Sequence, residues 1–326
     1  MLIYDHALWL LLAALLLDAI IGDPDWLWRR LQHPVVWIGR VISALDAQLN
    51  KSSFSPSQRR LGGLVSLVFL LIGGLLAGAG LHFVCERIPF GDILVVVIAA
   101  VFIAQKSLYL HVAAVRDGLV SGGLEGGRRA VSMIVGRDPN QLDEAGVSRA
   151  AIESCSENFS DGVVAPVFWF AVLGLPGLLA YKAVNTADSM IGHKNEKYSD
   201  FGWASARFDD LINLPASRLS GLFIALSAPI ASGSIKNSLS CILKDSGQHR
   251  SPNAGWPEAA MAGALNLALA GPRVYPGYTV EDPYMNPSGR KAASAHDISR
   301  ALLVIVSASC IQGLLIAVLA IAFLTM

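Results

Sequence analysis

Three polar clusters between residues 153 and 218 carry side chains able to hold a hard metal ion and an anion together. They are Glu153, Glu157, Asn158 and Asp161; Tyr181, Asn185, Asp188 and Lys194; and Arg207, Asp209, Asp210, Asn213 and Arg218. Apolar sequence containing Trp169, Phe170, Leu178 and Leu179 adjoins them. Glu153, Glu157 and Asp161 follow i, i+4, i+8 spacing, so a helix stacks three carboxylates on one face. Like charges so placed repel by roughly a few tenths of a kcal/mol per exposed pair, which a divalent cation relieves. A solvated acidic helix is the plain alternative. Asn185, Asp188, Ser189 and Gly192 also keep helical spacing. That face suits Mg²⁺, which retains waters and takes one or two protein carboxylates beside phosphate, or polar packing inside a bundle. Arg207 and Arg218 bracket Asp209 and Asp210. Guanidinium forks match phosphate or carboxylate oxygens, and local salt bridging competes with that reading.

Upstream, Gly22-Asp23-Pro24 and His33-Pro34-Val35 place an acid and an imidazole just after an apolar stretch. The imidazole suits proton transfer or a structural hydrogen bond. Asp18, inside that stretch, is costly at membrane depth and therefore a functional candidate. Residues 122–129 are glycine-rich but lack the lysine and hydroxyl of a phosphate-binding P-loop. No GxSxG, HExxH or zinc-type Cys/His spacing occurs.

The elements that must position these residues are membrane helices. Of 326 residues 53% are apolar and only 15% charged, with mean hydropathy +0.51, too little polar surface for a soluble globule. The net charge of +0 with scattered basic residues argues against a nucleic-acid partner. Cys85, Cys155, Cys241 and Cys310 are widely separated and read as reduced thiols. The apolar stretch 7–21 lacks a basic n-region and a small-residue cleavage site, so it reads as a retained membrane helix. The expected fold is an all-α polytopic membrane bundle forming a single domain, 1–326. Four secure spans cover 8–21, 61–84, 93–110 and 301–324. Two further segments, 163–180 and 219–235, are interrupted by Pro166, Pro176, Pro229, Gly174 and Gly177 and are broken or re-entrant. A small-residue helix over 257–270 and a turn-rich loop over 271–289 follow.

Lysine and arginine gather on cytoplasmic faces. Loop 23–60 carries six of them and 85–92 only Arg87, which puts 23–60 and 112–160 in the cytoplasm. Segments 182–218 and 236–300 are expected on the same face. A single crossing by 163–180 would carry Lys194 and Arg207 away from Glu153, so the re-entrant form is preferred.

One ordered set of motifs resembles the adenosylcobinamide-phosphate synthase family of cobalamin biosynthesis. It comprises Gly22-Asp-Pro, His33-Pro-Val, Val135-Gly-Arg-Asp138, Glu153-Ser with Glu157-Asn, Asp161-Gly, and Tyr181 through Asn185-Thr-Ala-Asp188. It continues with Gly192, Lys194, Ala206-Arg-Phe-Asp-Asp210, Asn213, Pro215, Arg218, Ser251-Pro-Asn253 and Pro257-Glu-Ala. The likeness is colinear from about residue 18 to residue 277. One departure is the run Ala268 to Ala270 ahead of Gly271, confined to a loop.

The resemblance implies a multi-pass enzyme of the inner (cytoplasmic) membrane with its active site toward the cytoplasm. Such an enzyme joins the f propionate carboxylate of adenosylcobyric acid to (R)-1-amino-2-propanol phosphate, or aminopropanol, as an amide, with ATP and Mg²⁺ as expected cofactors. A carboxylate must be activated before an amine can displace its oxygen, and phosphorylation to an acyl phosphate does this. Glu153, Asp161, Asp188, Asp209 and Asp210 are then the expected metal carboxylates, with Glu157 also suited. Arg137, Tyr181, Asn185, Lys194, Arg207, Arg218 and Asn253 are the expected substrate and phosphate contacts. Glu157 and His33 are the alternative bases for the ammonium proton. A wide corrinoid pocket lined partly by Tyr181, Trp203, Trp256 and Tyr275 is expected, and a homo-oligomer is compatible with it. Competing readings are a membrane corrinoid transporter or carrier and an Mg²⁺-dependent prenyl or phosphoalcohol transferase. The latter's repeated DxxxD spacing is lacking, and no internal repeat supports the former.

Overall fold

The computed structural model describes residues 6–136, 138–275 and 278–324, except the side chains of 25, 273–275 and 278–280. In chain order the helices are α1 Ala7–Ile20, α2 Asp25–Trp28, α3 Pro34–Leu49, α4 Pro56–Cys85, α5 Gly91–Phe102, α6 Gln105–Val131 and α7 Glu144–Phe159. They continue as α8 Ala165–Ile191, α9 Trp203–Ile212, α10 Leu214–Ser227, α11 Ile235–Asp245, α12 Gly255–Leu265 and α13 Ala295–Leu324. Two short antiparallel ladders, Leu269–Ala270 with Tyr284–Met285 and Arg273–Tyr275 with Tyr278–Val280, lie between α12 and α13. The protein is an all-α polytopic membrane protein. Five helical runs are long and apolar enough to cross a membrane: Pro56–Cys85, Gly91–Val131, Glu144–Ile191, Leu214–Ala231 and Ala295–Leu324, with Ala7–Ile20 a shorter apolar helix.

Contacts divide the chain into two compact units, 1–104 with 165–213 and 319–326, and 105–164 with 214–318. In the first unit α4 packs antiparallel on the second half of α8. Gly74 and Gly78 make this possible: a Cβ at Gly74 would stand 2.7 Å from the Ala180 Cα, and one at Gly78 2.4 Å from the Pro176 Cα. Small residues four apart let membrane helices approach to backbone contact, where dispersion replaces the missing hydrophobic drive. Ser55 caps α4 reciprocally with Gln58, ahead of Pro56 at the first helical position.

Helix α8 is not a straight rod. At Gly174 φ is +65° and ψ −150°, a conformation open to glycine alone. The chain reverses there, so a Cβ on Gly177 would lie 2.4 Å from the Trp169 carbonyl oxygen. Segment 163–180 therefore turns back on itself, as expected from its Gly and Pro content. The turn lies at the 85–92 end of the unit, where both line one cavity with the start of α1. The opposite end joins loop 23–60 to 192–200 through Lys197–Asp46 at 2.8 Å and Arg60–Asp200 at 2.9 Å.

In the second unit segment 219–235 also breaks. Helix α10 ends in a 3₁₀ turn, Ala228–Ala231, that starts just before Pro229 and closes at left-handed Ser232. Helix α11 then returns, with Ile242 beside Gly221, and α12 runs back up, its Ala264 carbonyl against Gly233. Arg300 closes this end by donating to the carbonyls of Ala231 and Leu265.

Two boundaries differ from the sequence expectation, and one expected span falls short of a crossing. The span expected over 93–110 is split, because Ile103 is extended (φ −99°, ψ 131°) between α5 and α6. The helix expected over 257–270 stops at Leu265, where Asn266 takes the left-handed cap. The first span, 14 residues long, is shorter than a full crossing.

Candidate active site

In the first unit, α8 and α9 build a buried hydrogen-bond chain. Tyr181 donates to Asn213 Oδ1 at 3.0 Å, and Asn213 Nδ2 donates to Asp209 Oδ2 at 2.9 Å. Asn185 Nδ2 reaches Asp209 Oδ1 at 3.4 Å. Tyr181 and Asn185 share a face of α8 at helical spacing, and Asn213 caps α9 four residues after Asp209. Asp188 and Asp210 flank this chain, both half-buried, while Lys194 and Arg207 stand exposed at its rim. Arg207 Nη1 lies 3.8 Å from Asp210 Oδ2.

Burial, then the charge of Asp188, pushes the Asp209 carboxyl up to about 7, against the two carboxamide donors that stabilise its charge. Burial also raises Asp210, while Arg207 and Lys194 pull it down. Gly192 fixes Asp188: a Cβ there would fall 1.9 Å from Asp188 Oδ1. The second cluster and the third without Arg218 thus form one acidic centre with a cationic rim.

His33 caps α3, its Nδ1 accepting from Val35 N–H at 3.2 Å while Nε2 meets the Val101 carbonyl at 3.2 Å. The ring is neutral with its proton on Nε2, and burial lowers its pKa, outweighing Asp23 3.7 Å away. Both nitrogens of this expected base serve the fold.

The second unit holds the remaining expected residues. Glu153 is buried and its Oε1 accepts from Ala270 N–H at 2.8 Å, tying α7 to the first ladder. Glu157 is exposed one turn on. Asp161 falls in a π turn, Ser160–Val164, so the expected α-helical stack of three carboxylates ends before it. That turn packs on α10. Arg218 on α10 donates through Nη1 alone, to Ser217 Oγ at 2.8 Å, Asn253 Oδ1 at 2.9 Å and the Pro252 carbonyl at 3.2 Å. Its guanidinium lies 4.7 Å over the Trp256 ring. Arg137 and the Tyr275 side chain lie outside the described residues, and Trp203 is exposed.

The sequence reading names Glu258 only within the Pro257-Glu-Ala motif and gives no role to it or to His249, which lie 3.7 Å apart in the second unit. The available signal was an ionisable residue inside the small-residue run of α12. The sequence reading also gives no role to Lys182, close enough to lower the His33 pKa.

A sequence model of the CobD/Cbib protein family matches residues 11–305. The chain belongs to the CobD/Cbib family. It is 55% identical over 312 residues to the cobalamin biosynthesis protein CobD of a Sinorhizobium species, covering 95% of this chain and 97% of that protein. It is 56% identical over 302 residues to the same-named protein of Rhizobium meliloti strain 1021 (92% of each chain). For that of Brucella suis biovar 1 the figure is 53% over 308 residues, 93% of this chain and 94% of the relative. No solved structure matches the chain. The CobD/Cbib match takes in the acidic centre of the first unit and the Arg218 centre of the second.

Proposed function

We propose that this CobD/Cbib protein acts in cobalamin biosynthesis at the inner membrane, joining the f propionate carboxylate of adenosylcobyric acid to (R)-1-amino-2-propanol phosphate in an ATP-dependent amide synthesis. The names of its relatives support the pathway. The observation that carries the reaction class is the acidic centre of Asp188, Asp209 and Asp210 under the Lys194 and Arg207 rim.

Among the described residues no three His, Cys, Asp or Glu side chains converge as an all-protein metal cage requires. The centre fits an open Mg²⁺ site, in which one or two carboxylates share the ion with waters and phosphate oxygens. Asp188 and Asp210 would hold the ion, and when bound it neutralises phosphate charge. The chain's own groups do the rest. Lys194 and Arg207 attract the polyphosphate, and the Tyr181–Asn213–Asp209 chain fixes the Asp209 carboxylate before substrate arrives.

In the first step a propionate oxygen attacks the γ-phosphorus of ATP and ADP leaves, giving an acyl phosphate. In the second, the deprotonated amine attacks the acyl carbon, the C–O bond breaks and inorganic phosphate departs with that oxygen. The ammonium proton goes to a general base before the attack. Arg218 offers a seat for an oxyanion of a substrate.

The test is purified protein in detergent with adenosylcobyric acid, aminopropanol phosphate, Mg²⁺ and ATP, followed by mass analysis. The amide product is expected, and Asp188→Asn and Asp210→Asn each reduce it by about two orders of magnitude. Corrinoid uptake into vesicles with no amide formed would replace the ligase by a carrier.

A further inference from the structure

The donors of Arg218 are used unevenly. Nη1 makes all three of its hydrogen bonds, while Nε and Nη2 have no hydrogen-bond partner and the guanidinium no carboxylate partner among the described residues. The guanidinium carbon also lies 4.7 Å from the centroid of the Trp256 ring, a cation–π contact. An arginine held by one corner with its other edge open is prepared to take an oxyanion side-on, two parallel N–H donors to two oxygens.

What holds that corner is the turn 251–253. Asn253 Oδ1 and the Pro252 carbonyl receive Nη1, and Ser251 Oγ accepts from the backbone N–H groups of Asn253 and Ala254, shaping the turn into the start of α12. Ser251 N–H in turn donates to His249 Nδ1 at 3.0 Å. Nδ1 also lies 3.3 Å from the Ser251 carbonyl, and Nε2 faces Glu258 Oε1 at 3.7 Å. Glu258 is buried, its side chain 3% exposed, and His249 is half-buried, its side chain 12% exposed. A buried carboxylate on an apolar helix is costly unless paired, and here its partner is the imidazole that shapes the turn.

We infer that His249 and Glu258 are positioning residues, a pair that fixes the 251–253 turn and so presents the Nε–Nη2 edge of Arg218 to a phosphate or carboxylate group of the substrate. The inference rests on Arg218 as the anion contact of the proposed reaction and adds two residues that touch no substrate.

The experiment measures stabilisation of the detergent-solubilised full chain against thermal unfolding as inorganic phosphate is titrated, with Arg218→Ala as the baseline. Size-matched variants separate pairing from packing. Glu258→Gln keeps a polar group facing Nε2, 3.7 Å away in the wild type, and Glu258→Met does not; His249→Asn keeps an acceptor for Ser251 N–H and His249→Leu does not. Wild type, Glu258→Gln and His249→Asn are expected to share one phosphate affinity, with Glu258→Met and His249→Leu weaker by about tenfold. Either pair alone decides. Equal affinity within both pairs, or phosphate stabilisation undiminished in Arg218→Ala, overturns the inference. Absence of amide product in the ligase assay would remove the reaction proposed above and leave this phosphate dependence standing, so the two failures are distinguishable.

Discussion

Tyr181 donates its phenolic proton to Asn213 Oδ1 at 3.0 Å, joining a membrane helix to the cap of the helix that carries Asp209. Tyr181→Phe leaves one buried acceptor unpaired and should cost about 1–2 kcal/mol. Asn213→Ala also strips a donor from Asp209 Oδ2, a bond to a charged group, and should cost more, about 2–3 kcal/mol. Chemical unfolding in detergent gives the order, and a larger loss for Tyr181→Phe would contradict the network.

Gly192 leaves the room that the Asp188 carboxylate occupies. Gly192→Ala should therefore yield folded protein whose Asp188 is displaced, with amide formation lower by about a hundredfold, as for loss of a positioned charge. Wild-type turnover in that variant would remove Asp188 from the reacting centre.

Asp209 titrates near 7 because burial and Asp188 oppose its charge. The folded pKa lies above the ordinary carboxylate value of 3.8, so the folded chain binds more protons than the unfolded one between those values. Through this group, stability is highest below the unfolded pKa and falls as pH rises to about 7. Asp209→Asn should flatten that decline when unfolding is compared at acidic and mildly alkaline pH. An unchanged slope would show that another group titrates there.

Sidedness follows from the first unit alone. The ion pairs of Lys197 and Arg60 put 192–200 beside loop 23–60, and the 30-residue α4 separates both from Arg87 by about 45 Å. In a background without native cysteines, Ser53→Cys and Ser199→Cys should react with an impermeant thiol reagent from one face and Arg87→Cys from the other. Labelling of Ser199→Cys and Arg87→Cys from the same face would overturn the Gly174 reversal.

Much of this was legible in the chain. Spacing puts Asn185, Asp188, Ser189 and Gly192 on one helical face, and the charge count favours the return of 163–180. The reversal itself needs the left-handed backbone of Gly174, a choice glycine permits without announcing. Asp161 was misplaced because a π turn is a local widening that no side-chain period encodes. The pairing of His249 with Glu258 is not legible because it is tertiary: they stand nine positions apart and a turn brings them together. Gly192 was seen as part of a polar face, whereas its missing side chain is what matters to Asp188.

The central claim is that the corrinoid carboxylate is activated by phosphoryl transfer before the amine attacks. It is tested most directly by labelling the f propionate of adenosylcobyric acid with ¹⁸O, running the reaction with ATP, Mg²⁺ and aminopropanol phosphate, and weighing the products. One ¹⁸O should appear in inorganic phosphate for each amide formed. Amide formation with the label absent from phosphate, or carried into AMP, would contradict an acyl phosphate.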